Sequence, residues 1–585
     1  MVSVFKADSI RRNREKNYYN HIREEKEKDT VLMLSSVHFR KDLWQRPQQL
    51  AVEMARKGKK VVFLNNRSVP LNVGWNLGEN GLPASIFTKT LLQGKEDNGV
   101  IVVDRIDYIN DQFGNSLWVR DQYIKEFIRF YKGGDTTVLT YLPEFSEDLE
   151  PLAHNIRIYY ECVDERTGDQ DTKKIILKEK KLLDIADGVI VTSNTLYVHK
   201  TKSGKPCALI PNGVNYEDFL LPCEKPEQLK DMGGPIIGYA GAIAKWFDQE
   251  LMVKVARMNP EKQFVLVGKI FTDISMLELE PNIHFLGTIE YTKVPTFMQH
   301  FDVGIIPFKI DDLIINTNPI KYFEYLSSGI PTVSTPLPEL IKEPNCELAE
   351  TAEEFSYLIE KVLKNKGFKR DLDYLKDKTW SKRAHEILGF INPKTQLSNS
   401  RERTLKNILD KYEGYKGGMP LLEILKIEIY QELGMVENAK ELFMNHEKKF
   451  KDICLPIQLK LCLQWEDYER IANLLITEMG NDHDVKFWRD KGTDFLKMIA
   501  YRKIGEFEKA LNLANVLLEK ETAVNEEIGN INFEIGNYTL AARHYVTSFA
   551  KKQMMKTKEG TENFSIIASN MGRMKLSEHL KSLFR

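Results

Sequence analysis

The sequence predicts an α/β chain: two successive open parallel sheets wound with helices, then an all-helical stretch. Three observations carry this. From Val31 onward, short apolar runs alternate with amphipathic helical stretches as far as about residue 390. The alternation restarts at Pro235, after a polar link. Beyond about residue 395 the strand pattern stops and a helical pattern with internal similarity replaces it. Strands separated by crossover helices pair in parallel, so each set reads as one doubly wound sheet.

In chain order, residues 1–29 are polar and dense in both charge signs, and read as a solvated helix or disordered arm. Residues 30–219 form the first predicted sheet domain. Val31 to Ser35 is a buried strand, Ser36 to Arg46 a loop, and Pro47 opens a helix that Gly58 stops. Further strands are expected at Val61–Leu64, Val100–Val103, Thr137–Thr140, Ile156–Tyr160, Val189–Thr192 and Ala208–Ile210. Residues 220–394 form the second domain. Its strands are expected in the run Pro235 to Gly241 and at Phe264–Val267, His284–Leu286, Val303–Ile306 and Thr332–Ser334. The remainder, 395–585, reads as three to four helical hairpins.

Composition narrows the function. With 42% apolar residues among 585, the chain can bury large cores. Its 83 basic and 84 acidic side chains nearly cancel, which argues against a general nucleic-acid binder. Six cysteines are scattered without a CxxC, so no metal framework is expected and the pattern suits a reducing cytosol. No secretory leader and no apolar run long enough to span a bilayer is read. The expectation is a cytoplasmic protein, with peripheral contact at the inner face of a membrane left open.

The most informative stretch is Asn316 to Ser334. Asn318 reads as an N-cap, Pro319 as the first helical residue and Gly329 as a left-handed stop. The free N–H groups at such a start attract an anion, and Lys321 adds a full positive charge one turn in. Glu324, three residues on, shares that face and can accept from both hydroxyls of a ribose. Phosphate binder and diol acceptor together fit a nucleoside diphosphate.

The residues Pro319, Lys321, Glu324, Tyr325, Leu326, Gly329 and Pro331 resemble the donor-binding helix of GT-B glycosyltransferases, closest to glycosyltransferase family 4 (group 1). That resemblance implies two facing Rossmann-like domains and a nucleotide-diphosphate sugar as donor substrate, with no other cofactor; no Asp-x-Asp metal motif follows a strand, so positive side chains and helix ends, without a required metal, are expected to stabilise the leaving diphosphate. It also implies that Glu324 holds the ribose. The family often carries a second Glu eight positions earlier; here that position is Asn316, whose amide can bond a sugar hydroxyl or phosphate but cannot act as a base. The run Asp42-Leu-Trp-Gln-Arg-Pro-Gln-Gln-Leu-Ala51 resembles a start motif of bacterial glycan-assembly transferases.

Other candidates follow the strands. In Gly238 to Asp248 a strand enters a glycine-bearing loop, where Gly241 lets backbone approach a phosphate and Lys245 supplies a second cation. The plain alternative for Lys245 is an exposed surface lysine. The turns at Gly268 and at Gly287 to Tyr291 match those that hold a nucleobase in the family; Tyr291 either stacks on the base or packs on its neighbour. On the acceptor side, His38 lies in the loop after the first strand. Trp44 either stacks on a sugar or caps the core, and Arg46 can hold a phosphate. Asp164, just after a strand, either deprotonates an acceptor hydroxyl or caps a helix.

In the tail, Gly434-x-Val436-x-x-Ala439, Gly505-x-Phe507-x-x-Ala510 and Gly536-x-Tyr538-x-x-Ala541 match one another, with a weaker copy at Glu466-x-Tyr468-x-x-Ile471. Their spacing resembles tetratricopeptide repeats and implies a protein partner. A plain helical bundle is the alternative. The leading expectation is sugar transfer to a glycan, lipid-linked or protein acceptor in bacterial cell-surface polysaccharide or glycoconjugate synthesis. The alternatives are a sugar-nucleotide 2-epimerase and a non-catalytic nucleotide-sugar-binding scaffold.

Overall fold

Continuous apolar runs bounded by polar turns become the strands of two sheets, because strands buried on both faces need no alternation. In the computed structural model, β1 to β11 are Thr30–Leu34, Lys60–Ser68, Leu71–Val73, Lys95–Asp97, Val100–Arg105, Tyr108–Asp111, Ser116–Trp118, Thr136–Thr140, Arg157–Cys162, Gly188–Val191 and Cys207–Leu209. The second set, β12 to β17, is Ile236–Ala240, Gln263–Val267, Ile283–Gly287, Val303–Ile306, Thr332–Ser334 and Cys346–Leu348. The structure describes residues 29–40, 44–68, 71–73, 94–105, 108–111, 116–118, 120–165, 172–311, 313–365, 368, 370–392, 401–415, 417, 419–450, 498, 501–502, 505–517, 528 and 530–532. The charged arm before residue 29, Asp42 and the tail copies at 466–471 and 536–541 lie outside them.

The first sheet has the order β11-β10-β9-β8-β1-β2-β5-β4, and the second β14-β13-β12-β15-β16-β17. Every neighbouring pair is parallel except the edge hairpin β4–β5. Both Rossmann-like domains expected from the sequence are present, with strand bounds shifted by at most two residues except in β2, which runs four residues further than expected. A small third sheet, β3-β6-β7, and the edge strands β4 and β17 had no clear sequence signal, being only three or four residues long. In each large sheet the strand order reverses once, between β1 and β8 and between β12 and β15. Such a switch point opens a crevice at the carboxyl ends of the strands.

The principal helices are α1 (Arg46–Arg56), α2 (Arg120–Tyr131), α3 (Thr172–Ile185), α4 (Asn194–Lys200), α5 (Gln249–Met258), α6 (Ile320–Ser328), α7 (Ala352–Lys364) and α8 (Trp380–Phe390). The last of these belongs by sequence to the second domain but returns to the first. Trp380, Ala384, Ile387 and Phe390 are buried in the core of the first sheet, and Phe390 meets Tyr159 edge-on at 5.6 Å. That crossing joins the two sheets into one body.

The same body extends through α9 (Arg401–Tyr412) and α10 (Pro420–Glu432), and ends at Phe443. The division expected at residue 395 therefore falls inside it. The reason is burial: Leu405, Ile408, Leu409 and Tyr412 of α9, with Leu422, Leu425 and Ile429 of α10, complete the first core. A second unit spans Met444–Arg585. The glycines of two tail copies, Gly434 and Gly505, both sit in the left-handed region at φ 73° and 82°, ahead of helices Val436–Phe450 and Phe507–Leu517.

Candidate active site

The crevices of the two sheets face one cavity of about 420 Å³. Ser36 after β1 and Tyr141 after β8 line it from the first switch point, and Gly241 after β12 and Phe308 after β15 from the second. Sequence-distant loops meet there because all of them leave the same ends of parallel strands.

Lys321 and Glu324 project into this cavity from the first turns of α6. The helix begins at Ile320, one residue later than expected, and Asn318 does not cap it. The Asn318 side chain instead joins the domains: Oδ1 accepts from the Asn212 N–H at 3.0 Å and Nδ2 donates to Glu339 at 3.1 Å. Asn212 Nδ2 completes the clasp on the Asn318 carbonyl at 2.7 Å. With no capping side chain, the N–H groups of the first turn keep their affinity for an external anion. At the far end Gly329, at φ 82°, supplies the left-handed stop.

The Lys321 ammonium lies 5.5 Å from the ring centres of both Tyr239 and Phe308. Burial pushes its pKa below the ordinary value, opposed by the charge of Glu324. Gly241 is required here by space. A Cβ at that position would fall 2.1 Å from Lys321 Cε and 2.7 Å from Nζ. A Cβ on the adjacent Gly268 would in turn strike the Gly241 carbonyl at 1.9 Å. Two backbones and an ammonium group thus crowd one wall, leaving backbone and positive charge as what a ligand meets.

Glu324 is only 7% exposed. Burial pushes its carboxyl up to about 7, against the opposing pull of Lys321 and of a hydrogen bond from Tyr291. Tyr291 lines the same cavity. The opposite wall holds Trp44, Arg46, Asp164 and Asn212. Arg46 is almost wholly buried. It donates to Glu161 at 2.5 Å, to the Pro211 carbonyl at 2.8 Å and to Asn212 at 3.3 Å, while its Nη2 has no hydrogen-bond partner. Trp44 both packs on Phe39, at 5.8 Å between rings, and faces the cavity.

Residues 234–365 match the family model described as Glycosyl transferases group 1. The matched stretch lies within the second sheet domain and includes α6. The chain is also 31% identical over 212 residues to a protein named as a teichuronic acid biosynthesis glycosyltransferase, TuaH of Bacillus subtilis (strain 168). That match covers 33% of this chain and 53% of TuaH, so the chain spans about half the length of the curated relative it matches. Among solved structures, one similar to it is the sucrose-phosphate synthase of Thermosynechococcus elongatus, at 17% identity and a TM-score of 0.47, covering 62% of this chain and 97% of that one. Another is Anabaena Alr3699/HepE in complex with UDP and glucose, at 14% identity and a TM-score of 0.42, covering 62% and 94%.

Within the matched stretch, Gly241, Gly268, Tyr291, Asn318, Lys321 and Glu324 all line the cavity. Asn316 and Lys245 do not. Asn316 is buried beside it, in the short turn Ile314–Asn316. Lys245 is exposed in the loop after β12, while its neighbour Trp246 takes the place at the wall. A lysine that does line the cavity is Lys269, at the end of β13 and 5.1 Å from the Phe271 ring. Its signal was the Gly268-Lys269 pair at a strand end, read only as a base-binding turn. In the first domain Asp164 is exposed at the cavity wall, and the next described helix starts only at Thr172. His38 does not line the cavity: its Nε2 is 3.4 Å from Asn65 Nδ2 and 3.9 Å from Asp104. Among the described residues, no group of three or more His, Cys, Asp or Glu is placed to hold a metal ion. No helix among them is long and apolar enough to cross a membrane.

Proposed function

We propose that the chain transfers a sugar from a nucleotide-diphosphate sugar to a glycan, lipid-linked or protein acceptor, in the making of a bacterial cell-surface polysaccharide or glycoconjugate. One observation carries the reading. Lys321 and Glu324 stand one turn apart at an uncapped helix start, inside a cavity walled by the switch points of two sheets. The ammonium and the helix N–H groups take the pyrophosphate, and Glu324 takes the ribose diol.

Transfer requires the diphosphate to depart with its charge stabilised. In this reading Lys321, with Lys269 nearby on the same wall, carries that charge without a metal. The acceptor approaches from the first domain, where Asp164 receives or orients its hydroxyl proton and Trp44 offers a face to its ring. The similarity to TuaH supports a polysaccharide acceptor.

The test is binding. Uridine, guanosine, adenosine and cytidine diphosphates are titrated into the purified chain and melting is followed. A ligand that binds only the folded state adds about 2.7 kcal/mol at a hundredfold excess over its Kd. Lys321→Ala and Glu324→Ala are expected to lose the shift while melting normally without ligand. Binding of none of the four by the wild type, or equal binding by both variants, refutes the assignment.

A further inference from the structure

Asn318 lies just ahead of α6 with a side chain suited to cap a helix, yet that side chain is held elsewhere. Its Oδ1 accepts from the Asn212 N–H at 3.0 Å, and its Nδ2 donates to Glu339 Oε2 at 3.1 Å. Glu339, in the turn Pro338–Leu340 after β16, is itself fixed: its Oε1 accepts from the Asn194 N–H, at the start of α4, at 2.7 Å. A backbone N–H and a guanidinium can only donate. The Asn212 N–H therefore keeps Asn318 Oδ1 turned toward it. Arg46 Nη1, 3.3 Å from Asn212 Oδ1, leaves Asn212 Nδ2 to donate to the Asn318 carbonyl at 2.7 Å. Arg46, Asn194, Asn212, Asn318 and Glu339 are all buried, so water competes little for these bonds.

What this clasp prevents is a second start for the same helix. Pro319 has ψ 109°, outside the helical range. Turned to a helical value, Pro319 would become the first helical residue, a place that proline favours, and Asn318 its cap. Oδ1 would then accept from the N–H of Ile320 or Lys321. Those are the groups that the clasp leaves open. No side chain caps α6, and the first N–H of the helix with a backbone partner is that of Tyr322, on the Pro319 carbonyl at 3.3 Å. Ile320 and Lys321 both line the central cavity, as does Arg46, whose Nη2 has no partner among the described residues.

We propose that Glu339 is a positioning residue for the diphosphate: with the Asn212 N–H it holds Asn318 off the start of α6 and keeps that start open to an anion. The proposal rests on the nucleotide reading of the same cavity. Asn194 and Asn212, which anchor the clasp, follow β10 and β11 of the first sheet, so the anion site of the second sheet is held open by the first.

Glu339→Gln keeps the size of the side chain and removes one acceptor. The Asn194 N–H and the Asn318 amide then face a single acceptor oxygen, and the backbone N–H, which cannot turn away, keeps it. Inorganic pyrophosphate and the nucleoside diphosphate that binds best are titrated calorimetrically into wild type, Glu339→Gln, Asn318→Ala and the double variant. With Asn318 present, Glu339→Gln is expected to raise both Kd values about three- to tenfold, the size of one helix cap. In the Asn318→Ala background the same substitution should change them by less than about twofold. A merely structural loss would weaken binding equally in both backgrounds. That result overturns the proposal, as does an unchanged Kd in Glu339→Gln. Where Glu339→Gln does not fold, Asn318→Asp decides, because its carboxylate is repelled by Glu339 and drawn to the helix start. A Kd at or below that of Asn318→Ala then overturns the proposal. If the wild type binds neither ligand, the nucleotide reading falls and takes this proposal with it.

Discussion

The side chain of Lys321 rests against the bare backbone of Gly241, so closely that a methyl group there would overlap Lys321 Cε at 2.1 Å. A glycine 80 positions upstream (321 − 241) thus sets where the cation points. Gly241→Ala is expected to push the ammonium out of place. Nucleoside diphosphate affinity should fall on the order of tenfold or more, since roughly 1.4 kcal/mol is a factor of ten in binding. Titration calorimetry reads this. An unchanged Kd would mean that the lysine position is set elsewhere.

Glu324 gives opposite pH trends for stability and binding. Its folded value of about 7 lies above the ordinary 4.5, and burial is the main cause. The folded chain therefore keeps a proton that the unfolded chain has released. The corresponding stability is fully present below about 4.5 and is lost as pH rises through about 7. Relative to Glu324→Gln, the wild type should lose up to about 1.4 kcal/mol per pH unit inside that window and nothing beyond it. Urea melts at a series of pH values measure the difference. Ligand binding runs the other way, because the ionised carboxylate is the stronger acceptor for a diol. A flat difference between the two proteins would refute the assigned titration.

Two lysines near the second sheet separate by position. Lys269 lines the cavity, whereas Lys245 is exposed outside it. Lys269→Ala should raise the Kd for inorganic pyrophosphate roughly five- to tenfold, the size expected for one charge-assisted contact. Lys245→Ala should change it by less than about twofold, as surface substitutions do. The reverse ranking would place the pyrophosphate outside the cavity.

Much of this site was legible before any coordinate. Lys321, Glu324 and Gly329 could be read because they share one short helix, where spacing alone dictates which side chains share a face. Gly268 and Gly241 were visible as glycines at strand ends, and Asp164 as a carboxylate after a strand. Other positions misled. Asn318 has the chemistry of a cap but spends it on Asn212 and Glu339, which lie 106 and 21 residues away in the chain. His38 sits in a loop that leaves the right end of β1, yet turns to Asn65 and Asp104. Lys245 occupies a suitable loop but points to solvent. A loop position tells which end of a sheet a residue leaves, and does not tell which way its side chain turns.

What the chain of residues determined by itself was local: strands from apolar runs, the helix that carries Lys321 and Glu324, and the order of two sheets and a helical tail. These depend on periodicity and short-range sterics, which neighbours in the chain decide. The tertiary structure alone decided that α9 and α10 complete the first core and that Arg46 is locked by Glu161 in place of reaching a ligand with its whole head. Those pairings join residues far apart in sequence. They arise because burying the two cores leaves the strand ends facing one another, and the polar groups at that boundary must then find partners wherever packing has brought them.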